Sequence, residues 1–145
     1  MDNNVNVLDE INKGATMGMD AIMFVYDKVG DQTFKQVLDG EYRKYKKISE
    51  RVTAEYDKYS IKEPHSTNAM NKAMTWYGIQ MKTMTDQSNE KISELLVQGT
   101  NMGIIEGVRL KNQNKHTELN ENVKQILNDF VAMQEDSVET LKKYL

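Results

Sequence analysis

The sequence predicts an all-α protein, four long helices forming two hairpins, with a short extra helix in the crossover between them. Three observations carry that prediction. Apolar residues recur at spacings of three and four in nearly every stretch between turn signals, which is the period of a helix with one buried face. Aromatic and β-branched residues never run in the strict alternation of a strand. The single proline, Pro64, falls in a break between periodic stretches. At 145 residues the chain reads as one domain, long enough to bury a substantial core. The hairpins are expected at 4–59 and 89–144, and the crossover at 60–88.

The first helix is predicted from Asn3 or Asn4, either able to cap it, to Val29. Leu8, Ile11, Ala15, Gly18, Ile22, Val25 and Val29 form its seam. Gly30 is the expected C-terminal glycine and Asp31 the next N-cap, so short a link that the first two helices must be antiparallel neighbours. The second helix, about Gln32 to Tyr59, has the seam Phe34, Leu38, Glu41, Tyr45, Ile48, Val52, continued by Tyr56 and Tyr59, with an acid near its centre. The crossover helix is expected over Asn68–Met84, with Met70, Met74, Tyr77, Met81 and Met84 on one face and Trp76 and Ile79 elsewhere. Ser88 caps the next helix, Asn89 to Gln113. Its face is read as Ile92, Leu95, Leu96, Gly99, Met102, Gly103, Glu106 and Leu110. Thr117 is the expected cap of the last helix, Glu118 to Tyr144. It should bury Leu119, Val123, Ile126, Leu127, Phe130, Met133, Val138 and Leu141.

Glycine inside a helix costs about 1 kcal/mol relative to alanine, so a run of them requires an offset. Gly99, Gly103 and Gly107 stand four apart and stack on one face. Gly14-Ala15-Thr16-Met17-Gly18 matches Gly99-Thr100-Asn101-Met102-Gly103 as Gly-x-x-Met-Gly, and each copy begins a hairpin. The chain therefore reads as a duplicated helical hairpin. The favoured account of Gly14, Gly18, Gly99, Gly103 and Gly107 is close packing of the first helix on the helix that opens the second hairpin. A space kept open for a ligand is the alternative.

This layout resembles bacterial ferritin-like four-helix-bundle proteins of unknown function, in which a short helix joins two hairpins and a small-residue Gly-x-x-x-Gly segment opens each. A second likeness, to ferritin-like spore-coat proteins, rests on the hairpin layout alone. The wider ferritin-like group implies a di-iron question. Such a site takes a glutamate from each of two helices and Glu-x-x-His from each of the other two. Here Glu41 is followed three residues on by Lys44, and Glu106 is the other inward candidate. The first helix offers Met17-Gly18-Met19-Asp20, and the last offers Phe130 and Met133 where ligands are required, with Asp129 at the edge of that face. His65 and His116 fall in loops.

Glu41 and Glu106 are thus the weak metal candidates, for iron or manganese. They read more simply as a polar layer satisfied by Tyr26, Tyr45, Lys44 or Arg109. Methionine thioethers suit Cu(I), but Met17, Met19, Met23, Met81, Met84 and Met102 at helical spacing read first as flexible core. The methionine face of the crossover helix is also a candidate partner surface.

The formal charge of −3 argues against nucleic acid as the main partner, and Arg43-Lys44-Tyr45-Lys46-Lys47 reads as a solvated face among acids. With no cysteine there is neither a disulfide framework nor a thiol nucleophile. Met1-Asp2-Asn3-Asn4 lacks the basic-then-apolar order of a signal peptide, and no apolar run reaches the ~20 residues of a membrane span. No phosphate loop, nucleophile elbow or His-Glu-x-x-His motif occurs. The expectation is a cytoplasmic, non-enzymatic structural or interaction protein without cofactor. Its partner would be another copy or another protein, not membrane. The alternative is a metal- or small-ligand-binding protein using Glu41 and Glu106.

Overall fold

A computed structural model describes residues 3–59, 78, 80–82 and 84–145. Four long helices, α1 (Asn3–Tyr26), α2 (Gln32–Tyr56), α3 (Asn89–Gln113) and α4 (Glu121–Lys142), carry the fold, and a 3-10 turn at Asp57–Tyr59 extends α2. Most of the expected crossover helix lies outside the described residues, including Met70, Met74, Trp76, Tyr77 and Ile79. Met81 is described, and it is buried in the core. No helix among the described residues is long and apolar enough to cross a membrane.

Helix ends follow local chemistry. Asp31 caps α2 by accepting the Thr33 amide at 2.9 Å, and Ser88 caps α3 by accepting the Lys91 amide at 3.2 Å. α1 stops three residues before the expected Val29. Its end is tightened by amides reaching three residues back, Lys28 to Val25 and Val29 to Tyr26. Gly30 is not in the left-handed region and so is not the terminating glycine. α4 starts after Asn120, not at Thr117. The Asn120 amide donates instead to the Asn4 side chain at 2.8 Å, and Leu119 is tucked into the core before the helix begins.

Cross-links between elements give their directions. Asn4 meets Asn120, so α1 and α4 begin at the same end. Asn89 donates to Asp31 at 2.9 Å, so α2 and α3 begin together at the other end. Each hairpin is antiparallel within itself, and α1 faces α3 antiparallel. One core joins both hairpins, with Leu8, Ile11, Phe34, Leu38, Val52, Ile92 and Val123 fully enclosed.

The first hairpin buries the seam its sequence predicts, Glu41 included, except that Gly18 and Tyr59 are half-buried. The second buries Ile92, Leu95, Leu96, Leu119, Val123, Ile126, Leu127, Phe130 and Leu141 as expected and is turned by about one residue at the remaining positions. In α3 the buried positions are Ile92, Ser93, Leu95, Leu96, Thr100 and Gly107. In α4, Gln134 and Ser137 go inside while Met133 and Val138 are only half-buried.

Candidate functional site

The same rotation separates the two glutamates. Glu41 is 4% exposed. Its carboxylate accepts the Lys44 ammonium at 2.9 Å and the Ser137 hydroxyl from α4. Lys44 continues to Asp136 at 3.0 Å. Burial works against the Lys44 charge, yet hydrogen bonds and charges from Glu41 and Asp136 outweigh it and hold the ammonium above the usual lysine range. Glu106, expected inward, has a side chain 53% exposed and pairs with Arg109 one turn along the same helix. Position 107, not 106, points to the core, and the small Gly107 fills it.

Four of the stripe glycines, Gly14, Gly18, Gly103 and Gly107, are notches for side chains from α2 and α4. A Cβ on Gly14 would stand 2.6 Å from the Phe130 ring, and one on Gly18 would stand 2.5 Å from the Tyr45 ring. On Gly107 it would meet Val131 at 2.7 Å, and on Gly103 it would collide with the Gln134 amide oxygen. The offset for glycine in these helices is therefore room for large neighbours. A cavity of about 160 Å³ lies between α1 and α3.

Ile11, Ile22, Leu38, Leu96 and Phe130 give the cavity apolar wall, and Gly14, Gly18, Gly99, Gly103 and Gly107 all border it. Its polar members come from all four helices: Glu10 from α1, Glu41 and Tyr45 from α2, Thr100 and Gln113 from α3, Gln134 and Ser137 from α4. Glu106 and Arg109 border it from their exposed positions. Burial pushes the Tyr45 phenol up to about 12, with the Glu41 charge adding to the rise and a hydrogen bond to Thr100 opposing it. Thr100 gives its own proton to the Leu96 carbonyl at 2.7 Å. Gln134 differs from these. It is 2% exposed, and its amide nitrogen has no hydrogen-bond partner among the described residues.

The residues do not fit a di-iron centre. Glu41 is already engaged by a lysine and a serine, and Phe130 fills the notch at Gly14. Among the described residues no group of three or more His, Asp or Glu side chains converges on one point. His116 is exposed in the α3–α4 connection, and His65 lies outside the described residues. The methionines are dispersed: Met81 is in the core, Met23 is 60% exposed, and Met17 and Met102 border the cavity. In the basic run, Arg43 pairs with Asp39 at 2.7 Å and Lys44 is occupied as above, which leaves Lys46 and Lys47 on the solvent face.

Sequence reasoning found the glycines and Glu41 but missed Gln134, Ser137 and Thr100. The signal was there in part, since Leu127, Phe130, Gln134, Ser137 and Leu141 keep helical spacing if polarity is ignored. Comparison of the chain with protein-family models, with curated proteins and with solved structures gave no match.

Proposed function

We propose that this is a non-enzymatic binding protein, with ferritin-like helix connectivity and no metal centre, that holds a small molecule between α1 and α3. The observation that carries the reading is the glycine-bordered cavity itself. Protein interiors close-pack, and an unfilled space of this size is rare and costly. Here five helix-weakening glycines border it, in a chain that could have used alanine or leucine. An apolar wall with a few convergent polar groups is the usual make-up of a small-molecule site. The parallel start of α1 with α4 and of α2 with α3 requires a crossover running the length of the molecule, which is the ferritin-like arrangement. Glu41 contributes as a structural acid that pins α4 to α2, not as a metal ligand.

A cavity near 150 Å³ with aliphatic and phenyl walls accepts a benzene-sized molecule. Toluene is therefore the first probe. Added at about ten times its dissociation constant, it should raise the melting temperature by about 3 °C in a saturable way. Ala21→Leu, which puts bulk into the cavity wall, should fold and lose the response. A wild-type protein whose melting temperature is indifferent to toluene would sink the reading.

A further inference from the structure

Resting on the cavity reading above, we infer that the ligand is uncharged, built on one ring or a branched chain, and carries an oxygen acceptor that the Gln134 amide recognises. Gln134 leaves α4, crosses to α3 and ends against Gly103, so its amide and the glycine notch that receives it are both part of the cavity wall. The side chain is 2% exposed and its nitrogen is unpartnered among the described residues. A buried amide left in that condition costs about 1–3 kcal/mol, and leucine at the same position would avoid the cost. Its terminal torsion is broad and two-fold, so the NH₂ group can turn toward a guest without disturbing the rest of the side chain.

Thr100 gives its proton to the Leu96 carbonyl and Ser137 gives its own to Glu41. The buried group of the wall left without a partner among the described residues is the Gln134 nitrogen, a pair of N–H donors that calls for an acceptor on the ligand. Charge is disfavoured on both sides. The Glu41 carboxylate in the wall repels an anion, and its own oxygens already hold Lys44 and Ser137 in place of a cationic guest. At interior packing density the cavity accommodates about nine non-hydrogen atoms. A one-ring ketone, ether or ester matches that size and chemistry.

Acetophenone and isopropylbenzene form a matched pair, of one shape with and without the acceptor. Calorimetric titration of the full chain should show acetophenone binding about tenfold more tightly, the net worth of one hydrogen bond. In Gln134→Leu the preference should vanish while isopropylbenzene affinity stays within about threefold, because the apolar wall is intact. Gln134→Met, which keeps the length of the side chain, should behave likewise. If isopropylbenzene binds and acetophenone binds no better, the cavity reading stands and recognition by Gln134 is overturned. A preference that survives both variants overturns it as well. If neither probe binds, the cavity reading fails too.

Discussion

The two hairpins use the same device and fill it differently. In the first, the notch at Gly18 receives the ring of Tyr45 from the adjoining helix. In the second, the notch at Gly103 receives the amide of Gln134, and the amide nitrogen has no hydrogen-bond partner among the described residues. One notch is closed by a rigid aromatic ring. The other is closed by the movable tip of a flexible chain. The duplicated motif thus sets where a neighbour enters, while the neighbour decides whether the place is structural core or binding wall.

Substitution at the glycines tests that contrast most strongly. Gly18→Ala places a Cβ within 2.7 Å of three atoms of the rigid Tyr45 ring. After the helix-propensity gain it should still cost about 2 kcal/mol, read from urea midpoints. An unchanged midpoint would remove the distinction between the notches.

A smaller effect is expected at alkaline pH. The fold prefers the protonated Tyr45 phenol, whose value is raised from 10.0 to about 12. Its contribution is complete below pH 10 and is lost as the pH climbs from there toward about 12. Across that window wild type should lose roughly 1 kcal/mol per pH unit more than Tyr45→Phe does, measured by urea unfolding. Gln134→Leu, altering the other notch, should keep the wild-type slope. Equal slopes for wild type and Tyr45→Phe would place the alkaline sensitivity elsewhere, Tyr56 being next, since its phenol is also raised by burial and by its bond to Asp9.

The smallest effect belongs to Gly103→Ala. The colliding atom is the end of the Gln134 side chain, which can swing aside, and alanine adds about 1 kcal/mol of helix preference. Stability within about 0.5 kcal/mol of wild type is expected in thermal melts, with these terms in balance. A loss comparable to that of Gly18→Ala would show that the amide is as firmly fixed as the tyrosine ring.

What could be read from the chain differs between the same two hairpins. The seam from Phe34 to Tyr59 is apolar apart from Glu41, so its period stood out, and every assigned position but the half-buried Tyr59 is buried. Asp31 and Ser88 were also legible, because an N-cap depends on chemistry within three residues. In α3 and α4, glycines, Thr100, Gln134 and Ser137 occupy core positions. A polarity-based pattern therefore slides to its neighbours, and Glu106, Met133 and Val138 are drawn inward in place of 107, 134 and 137. The cavity was not legible as a cavity. Small residues at helical spacing serve equally to bring backbones together or to admit side chains. Only the positions of Phe130, Tyr45, Val131 and Gln134 show that the second holds here.

The contacts that tie one hairpin to the other are unevenly placed. Arg51 meets Asp129 at 2.9 Å, Lys44 meets Asp136 at 3.0 Å, Asn122 donates to Glu55 at 3.2 Å, and Ser137 holds Glu41. All four join α2 to α4, while α1 and α3 hold the cavity between them. Mechanically the molecule is a book with a stitched spine along α2–α4, and its fore-edge along α1–α3 is clasped at the two ends, by Asn4 on the Asn120 amide and by Asn89 on Asp31. Between the clasps the cavity is closed by apolar contacts, and the charged layer of Glu41, Lys44 and Asp136 lies on the spine, away from them.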